Sequence, residues 1–334
     1  MIILHKDHSI YEPPEGWCVP DRYLWETISG FYYLKFQEIF EENNLDYRLS
    51  YYEDYPNIDG SHFIGRFAHA KEDKELHQKY YFDLERRFDN IWPDKLAYEL
   101  YDNKPEQMKY LDSKGYQKYT DYQVVNSIEE LCDIVEVGKI IKSHTGASSD
   151  NVFFITEKKY CEREELINLI SECYSNTLEK YFPAIIQPFF EGPMYKISLT
   201  NSSIWAKVYN YKHDFSNPLN FGYGHPNLIW SERSTTTGHT SGNNYMVSED
   251  ELKNLPNLFT YLDIKKEIGT PNLTFDVVGD KILEFTYLFN PTIPLVDTYG
   301  SYNIDTSEFE TIKDNERYIA YQQHYSVLKG FNLV

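Results

Sequence analysis

The stretch 275–290 constrains this chain most. It reads Phe-Asp-Val-Val-Gly-Asp-Lys-Ile-Leu-Glu-Phe-Thr-Tyr-Leu-Phe-Asn, two short apolar runs around a Gly279-Asp280-Lys281 turn. That pattern specifies a β-hairpin with one carboxylate on each strand, Asp276 and Glu284. Strand pairing can set two such carboxylates side by side on one face. Hard divalent cations use oxygen ligands of this kind and fill their other positions with water or phosphate oxygens. A solvated Asp and Glu on a hairpin is the alternative reading.

Upstream, 138–155 reads as a strand ending in Lys142, a small-residue loop through Gly146, Ala147, Ser148 and Ser149, then a second strand. Small residues let backbone N–H groups approach a phosphate, and a lysine adds a point charge. A plain hairpin turn fits the same residues. It is not a Walker loop, which needs its lysine after the glycines and a helix following. Between the two motifs, an apolar strand from Ala184 runs into Gln187, Pro188, Phe189 and Phe190. Such a connector can offer polar groups to a base edge and apolar cover to its face, or be a buried strand and turn.

The chain has 334 residues, enough for one large domain or several small ones. Its net charge of −20 argues against a nucleic-acid or anionic-membrane surface. A nucleotide site is still open to it, because lysines can be locally concentrated. No apolar run approaches the ~18 residues of a membrane span, and no signal peptide is visible. Cys18, Cys132, Cys161 and Cys173 lack CxxC spacing and fit reduced thiols, hence a cytoplasmic protein.

Residues 1–90 read as a small α/β unit: strands at 2–4, 46–52 and 62–67, and helices at 25–42 and 74–88. Arg66 and His69 follow the third strand, as substrate contacts or as ordinary surface residues. Ser127-x-x-Glu130 fits a capping box, and 162–179 reads as a helix. Residues 212–245 are polar and aperiodic, either a functional insertion or a surface loop. The last thirty residues read as an extended piece and then a helix.

The order of a lysine with a small-residue loop, a strand with a connector and an acidic hairpin resembles the ATP-grasp superfamily over roughly residues 90–303. The resemblance includes Asn103-Lys104-Pro105, similar to that family's first ATP-binding lysine opening a helix, with Lys95 a competitor. It is nearer to uncharacterised glutathione-synthetase-like members often found with polysaccharide or cell-surface loci. The residues carrying this are Ile91-Trp92-Pro93, Gly146-Ala147-Ser148-Ser149-Asp150-Asn151-Val152, Arg233-Ser234-Thr235-Thr236-Thr237-Gly238 and Glu284-Phe285-Thr286-Tyr287-Leu288-Phe289. Two departures stand out: Thr286 replaces the usual asparagine of Glu-x-Asn, and Ser234-Thr235-Thr236 replaces Ala-Ser-Gly.

The resemblance implies an α+β ATP-grasp fold in which two α+β subdomains (91–156 and 157–334) sandwich ATP after a pre-ATP-grasp domain (1–90). It implies a C–N-forming ligase that makes an acyl phosphate from a small-molecule, peptide or glycan precursor. A kinase, and a nucleotide-binding protein without turnover, are the alternatives. Lys104, Lys142, Lys196, Gly146, Ala147, Ser148 and Ser149 would hold the ATP phosphates, and Gln187, Pro188, Phe189 and Phe190 the adenine. Asp276, Glu284 and Asn290 would hold Mg2+, with Mn2+ as a substitute, and Arg233 would steady the transferring phosphoryl group. Many members are dimers or tetramers, which leaves a homodimer open.

Overall fold

The structure, a computed structural model, describes residues 1–5, 31–50, 54, 57–65, 74–101, 103–144, 152–173, 178–209, 212–213, 228–229, 245–287, 298–313 and 316–334. Of the expected site, Gly146, Ala147, Ser148, Ser149, Arg233 and Asn290 lie outside these residues, as do Arg66, His69 and most of 212–245.

The chain opens with a parallel sheet. Its strands are β1 (Ile2–His5), β2 (Tyr47–Ser50), β3 (His62–Ile64) and β4 (Asn90–Trp92), in the order β2-β1-β3-β4. Alternation along β1 explains why an unbroken apolar run is needed. Ile2 and Leu4 meet Phe36, Ile39 and Phe40 of helix α1 (Phe31–Glu42). Ile3 faces the other way, onto Tyr81, Leu84 and Phe88 around helix α2 (Lys74–Arg87). A parallel sheet covered on both faces has no polar side.

Two short helices follow, α3 (Lys95–Leu100) and α4 (Lys104–Ser113). The second sheet is antiparallel: β5 (Gln123–Val125), β6 (Lys139–Ser143), β7 (Val152–Phe154) and β8 (Ala184–Pro188), in the order β5-β8-β6-β7. One face, with Val125, Ile141, Phe153 and Ile186, packs under α5 (Ile128–Ile134) and α6 (Arg163–Cys173). Of the expected helix over 162–179, Arg163–Cys173 is α-helical and Leu178–Tyr181 forms a 3-10 turn; the residues between lie outside the description. Ser127 Oγ caps α5 by accepting from Glu130 N–H at 3.2 Å, but the Glu130 carboxylate returns to Asn126 N–H rather than to Ser127.

The third sheet has seven strands. They are β9 (Met194–Leu199), β10 (Ser203–Tyr209), β13 (Tyr245–Met246), β14 (Leu273–Val278), β15 (Lys281–Thr286), β16 (Thr298–Asn303) and β17 (Glu308–Lys313). Their order is β15-β14-β9-β10-β16-β17, with β13 on β10; β11 (Lys212–His213) and β12 (Leu228–Ile229) pair apart from it. Helix α7 (Glu249–Lys253) starts in a full capping box between Ser248 and Glu251. Helix α8 (Leu258–Ile268) packs Tyr261 and Ile264 in one core with Ile197, Phe275 and Phe285 of the sheet. Helix α9 (Glu316–Gly330) closes the chain against α1.

The expected boundary at 90/91 falls inside β4, and that at 156/157 precedes α6 and β8, which share a core with β5–β7. Among the described residues, no helix is long and apolar enough to cross a membrane.

Candidate functional site

The hairpin at β14–β15 carries an irregularity that decides its chemistry. From the Gly279-Asp280 turn, Val278 pairs with Lys281 and Val277 with Ile282. A regular ladder would next set Asp276 opposite Leu283. The register shifts between Asp276 and Val277, so Asp276 stands opposite Glu284 instead. A bulge reverses which side chains share a face. Phe285 thereby joins Phe275 in the core, and both carboxylates emerge on the opposite face.

That face continues across the sheet. Asp276 is opposite Lys196 on β9, and Lys196 is opposite Lys207 on β10. One row thus runs Glu284, Asp276, Lys196, Lys207, two anions and then two cations. Lys196 Nζ lies 2.7 Å from Asp276 Oδ1 and 3.0 Å from Oδ2. Burial and the Glu284 charge push Asp276 above its ordinary value, against the pull of Lys196 and Lys142. Burial acts the same way on Glu284, but Lys104, Lys142 and Lys196 outweigh it and hold that carboxyl low.

Lys104 arrives from outside the sheet. It begins α4, with Pro105 fixing the first turn. Its backbone N–H, an orphan donor at a helix start, donates to His144 O at 3.1 Å. Its buried ammonium lies 3.4 Å from Glu284 Oε2. Lys95, the competing lysine, is half exposed at the start of α3, 4.0 Å from Glu85. The structure brings Lys104, not Lys95, to the carboxylates.

Lys142 comes from the second sheet. It sits on the face opposite the helices, together with Ile140, Ile185 and Gln187. Burial lowers its pKa to about 8; Glu284 and Asp276 raise it and Lys104 lowers it. Gln187 is buried, and neither atom of its amide has a partner among the described residues. Beyond it, Phe189 N–H donates to Gly138 O at 3.1 Å, and its ring packs on Phe154 at 5.1 Å. Pro188 and Phe190 are partly buried beside it.

Two residues at this site escaped the sequence reading. Lys207 was legible in principle: the turn at 200–203 pairs Leu199 with Ile204, which fixes Lys207 opposite Lys196. Gln107 left no signal. Its buried amide reaches from α4 to the outer edge of β15, where Nε2 donates to Phe285 O at 2.7 Å and Oε1 accepts from Phe285 N–H at 3.0 Å.

Asp276 and Glu284 are hard oxygen donors, each already holding an ammonium group, and so they fit Mg2+. Among the described residues, no cluster of three His, Cys, Asp or Glu forms a cation site. Phosphate oxygens and water would supply the remaining ligands.

No protein-family model matches the sequence, and no curated protein is similar to it. Solved structures are similar in fold. D-cycloserine synthetase DcsG shares 12% identity at a TM-score of 0.54, over 97% of this chain and 98% of its own. The ATP-grasp ligase PsnB, complexed with a minimal precursor, shares 11% at 0.51, over 99% and 98%. The D-alanine–D-alanine ligase of Bacillus anthracis shares 13% at 0.51, over 87% of each chain. The chain has the α+β ATP-grasp fold.

Proposed function

We propose that this chain is an ATP- and Mg2+-dependent ligase that activates a carboxylate as an acyl phosphate and joins it to an amine. The observation that carries this reading is the convergence, from two sheets and one helix, of Lys104, Lys142 and Lys196 on Asp276 and Glu284, with Lys207 next to Lys196 in the same row. Three cations act on two anions, with a fourth adjoining, in a chain of net charge −20. Such a locally positive, buried site suits a polyphosphate. ATP-grasp ligases with this fold add support, and PsnB has been solved with a precursor variant, Mg and ADP at a TM-score of 0.50.

Without ligand, the ammonium groups of Lys196 and Lys104 neutralise the two carboxylates. With nucleotide bound, Lys104, Lys142 and Lys196 would hold the phosphates, and Asp276 and Glu284 would hold the cation. Bound there, Mg2+ would neutralise charge on the β- and γ-phosphates. Gln187 would offer one donor and one acceptor to the adenine edge, which would relieve an amide buried without partners among the described residues. Phe189 and Phe190 would cover the base. Gly146, Ala147, Ser148 and Ser149 would bind the phosphates, and Arg233 would contact the transferring group.

The substrate carboxylate oxygen attacks the γ-phosphorus, and the bond to the β-phosphate oxygen breaks, releasing ADP. The amine then attacks the acyl carbon, loses a proton and expels phosphate. Positioning and charge neutralisation suffice for both steps, so no side-chain nucleophile is needed. The acceptor would be a small molecule, a peptide or a glycan precursor.

The test is incubation with ATP, Mg2+ and panels of carboxylates and amines, read by ADP release and product mass. Free phosphate with a condensed product supports the ligase. A stable phosphorylated product identifies a kinase. Bound ATP with no acceptor-dependent ADP identifies a nucleotide-binding protein, the reading that Thr286 favours by replacing an amide ligand with a hydroxyl.

A further inference from the structure

Helix α4 carries Lys104 but packs on both sheets, against β8 and against β15. Its start is tied to the second sheet through Lys104 N–H and His144 O. Its flank is tied to the third through Gln107. Strand β15 is the outer strand of its sheet among the described residues, and Phe285 turns its N–H and C=O outward, away from β14. The Gln107 amide meets both, at 3.0 and 2.7 Å, as a neighbouring strand would. Its second N–H goes to Leu100 O, at the end of α3, at 2.8 Å. Both Nε2 hydrogens and Oε1 are therefore engaged, in a side chain that is 1% exposed.

Both ends of this contact lie close to the paired charges. Phe285 adjoins Glu284, and Gln107 follows Lys104 by three positions on the same helix. The 3.4 Å spacing of Lys104 Nζ and Glu284 Oε2 is held by an ion pair that must open when a cation and phosphates enter. The Gln107 bonds do not have to open. We propose that Gln107 is a positioning residue: it keeps the Lys104 end of α4 in fixed register with Glu284 while the two charges exchange partners. Only an amide does this well, since it donates to a carbonyl and accepts from an N–H in one plane. This role rests on the functional reading above, because it needs Lys104 on phosphate and Glu284 on cation.

The experiment is calorimetric ATP titration, with and without Mg2+, on the wild type, Gln107→Leu and Gln107→Met, with thermal unfolding alongside. Both substitutions keep the volume and lose the three hydrogen bonds. The expected result is cooperative unfolding, metal-free ATP affinity within about threefold of wild type, and a Mg2+ enhancement reduced at least about tenfold, as for a small misplacement of a site group. Metal-free affinity and enhancement falling together would overturn the role, and so would an unchanged enhancement. Failure of both variants to fold would also overturn it, because that makes Gln107 part of the scaffold. No ATP binding by the folded wild type would instead overturn the functional reading itself.

Discussion

Two buried lysines in this molecule are shifted alike but stand in different surroundings. Burial brings Lys142 and Lys265 each to about 8. Lys265, on α8, donates to Asn201 Oδ1 at 2.8 Å, with the Asp94 charge raising its pKa. Asn201 N–H in turn donates to Ser326 Oγ of α9 at 2.9 Å. That lysine buckles a helix, a strand turn and the last helix on one side of one core. Lys142 stands on the second sheet and feels the carboxylates of the third. Burial and a lowered pKa are therefore weak marks of function by themselves. What separates the two lysines is whether their partners belong to the same packed body or to a facing one.

Replacing each lysine by Met sharpens that contrast. Lys142→Met should weaken ATP binding by about 2–3 kcal/mol, or roughly 30–150-fold, as for a lost charge-assisted hydrogen bond. Its unfolding temperature should not fall, because a buried charge is removed. Lys265→Met should do the reverse: a stability loss of about 1–3 kcal/mol in denaturant titration from the polar groups left unpaired, with ATP affinity unchanged. A Lys265→Met that loses ATP, or a Lys142→Met that only loses stability, would break the comparison.

Acidity offers a smaller effect with a defined sign. A lysine titrating near 8 in the fold and near 10.5 when unfolded opposes folding while charged. The empty protein should therefore gain stability as pH rises through about 8 and lose it as pH falls back. Polyphosphate favours the charged form, so ATP binding should take up protons near pH 8 and weaken above it, by up to about tenfold per pH unit. Calorimetry in buffers of different ionisation enthalpy measures that uptake. The smallest effect belongs to Lys95→Ala, which should change ATP affinity and stability by less than about 0.5 kcal/mol, since among the described residues that side chain pairs with Glu85 at the surface.

The hairpin was legible because its alternation and its turn agree; Gly279, at φ +60°, occupies a position suited to glycine. The pairing of its carboxylates was legible as chemistry and hidden as geometry, since a regular ladder would have buried Glu284 beside the core and only the bulge prevents it. Lys142 stood out from its strand and small-residue loop, whereas Lys104 and Lys196 stood out only through the family resemblance. Gln107 was not legible, because a side chain that caps a distant strand edge has no local pattern. Strand β8 returns to pair with β5 and β6 after a helix. Such long-range pairing is set by tertiary packing and leaves little trace in nearby residues.

The central claim is that Asp276 and Glu284 are the cation end of a nucleotide site. The most direct measurement is ATP binding by calorimetry, with and without Mg2+, on the wild type and Glu284→Gln. The account predicts that Mg2+ strengthens ATP binding in the wild type and that most of this enhancement is lost in Glu284→Gln. A folded wild type that binds no ATP, or a variant that keeps the full enhancement, would contradict it.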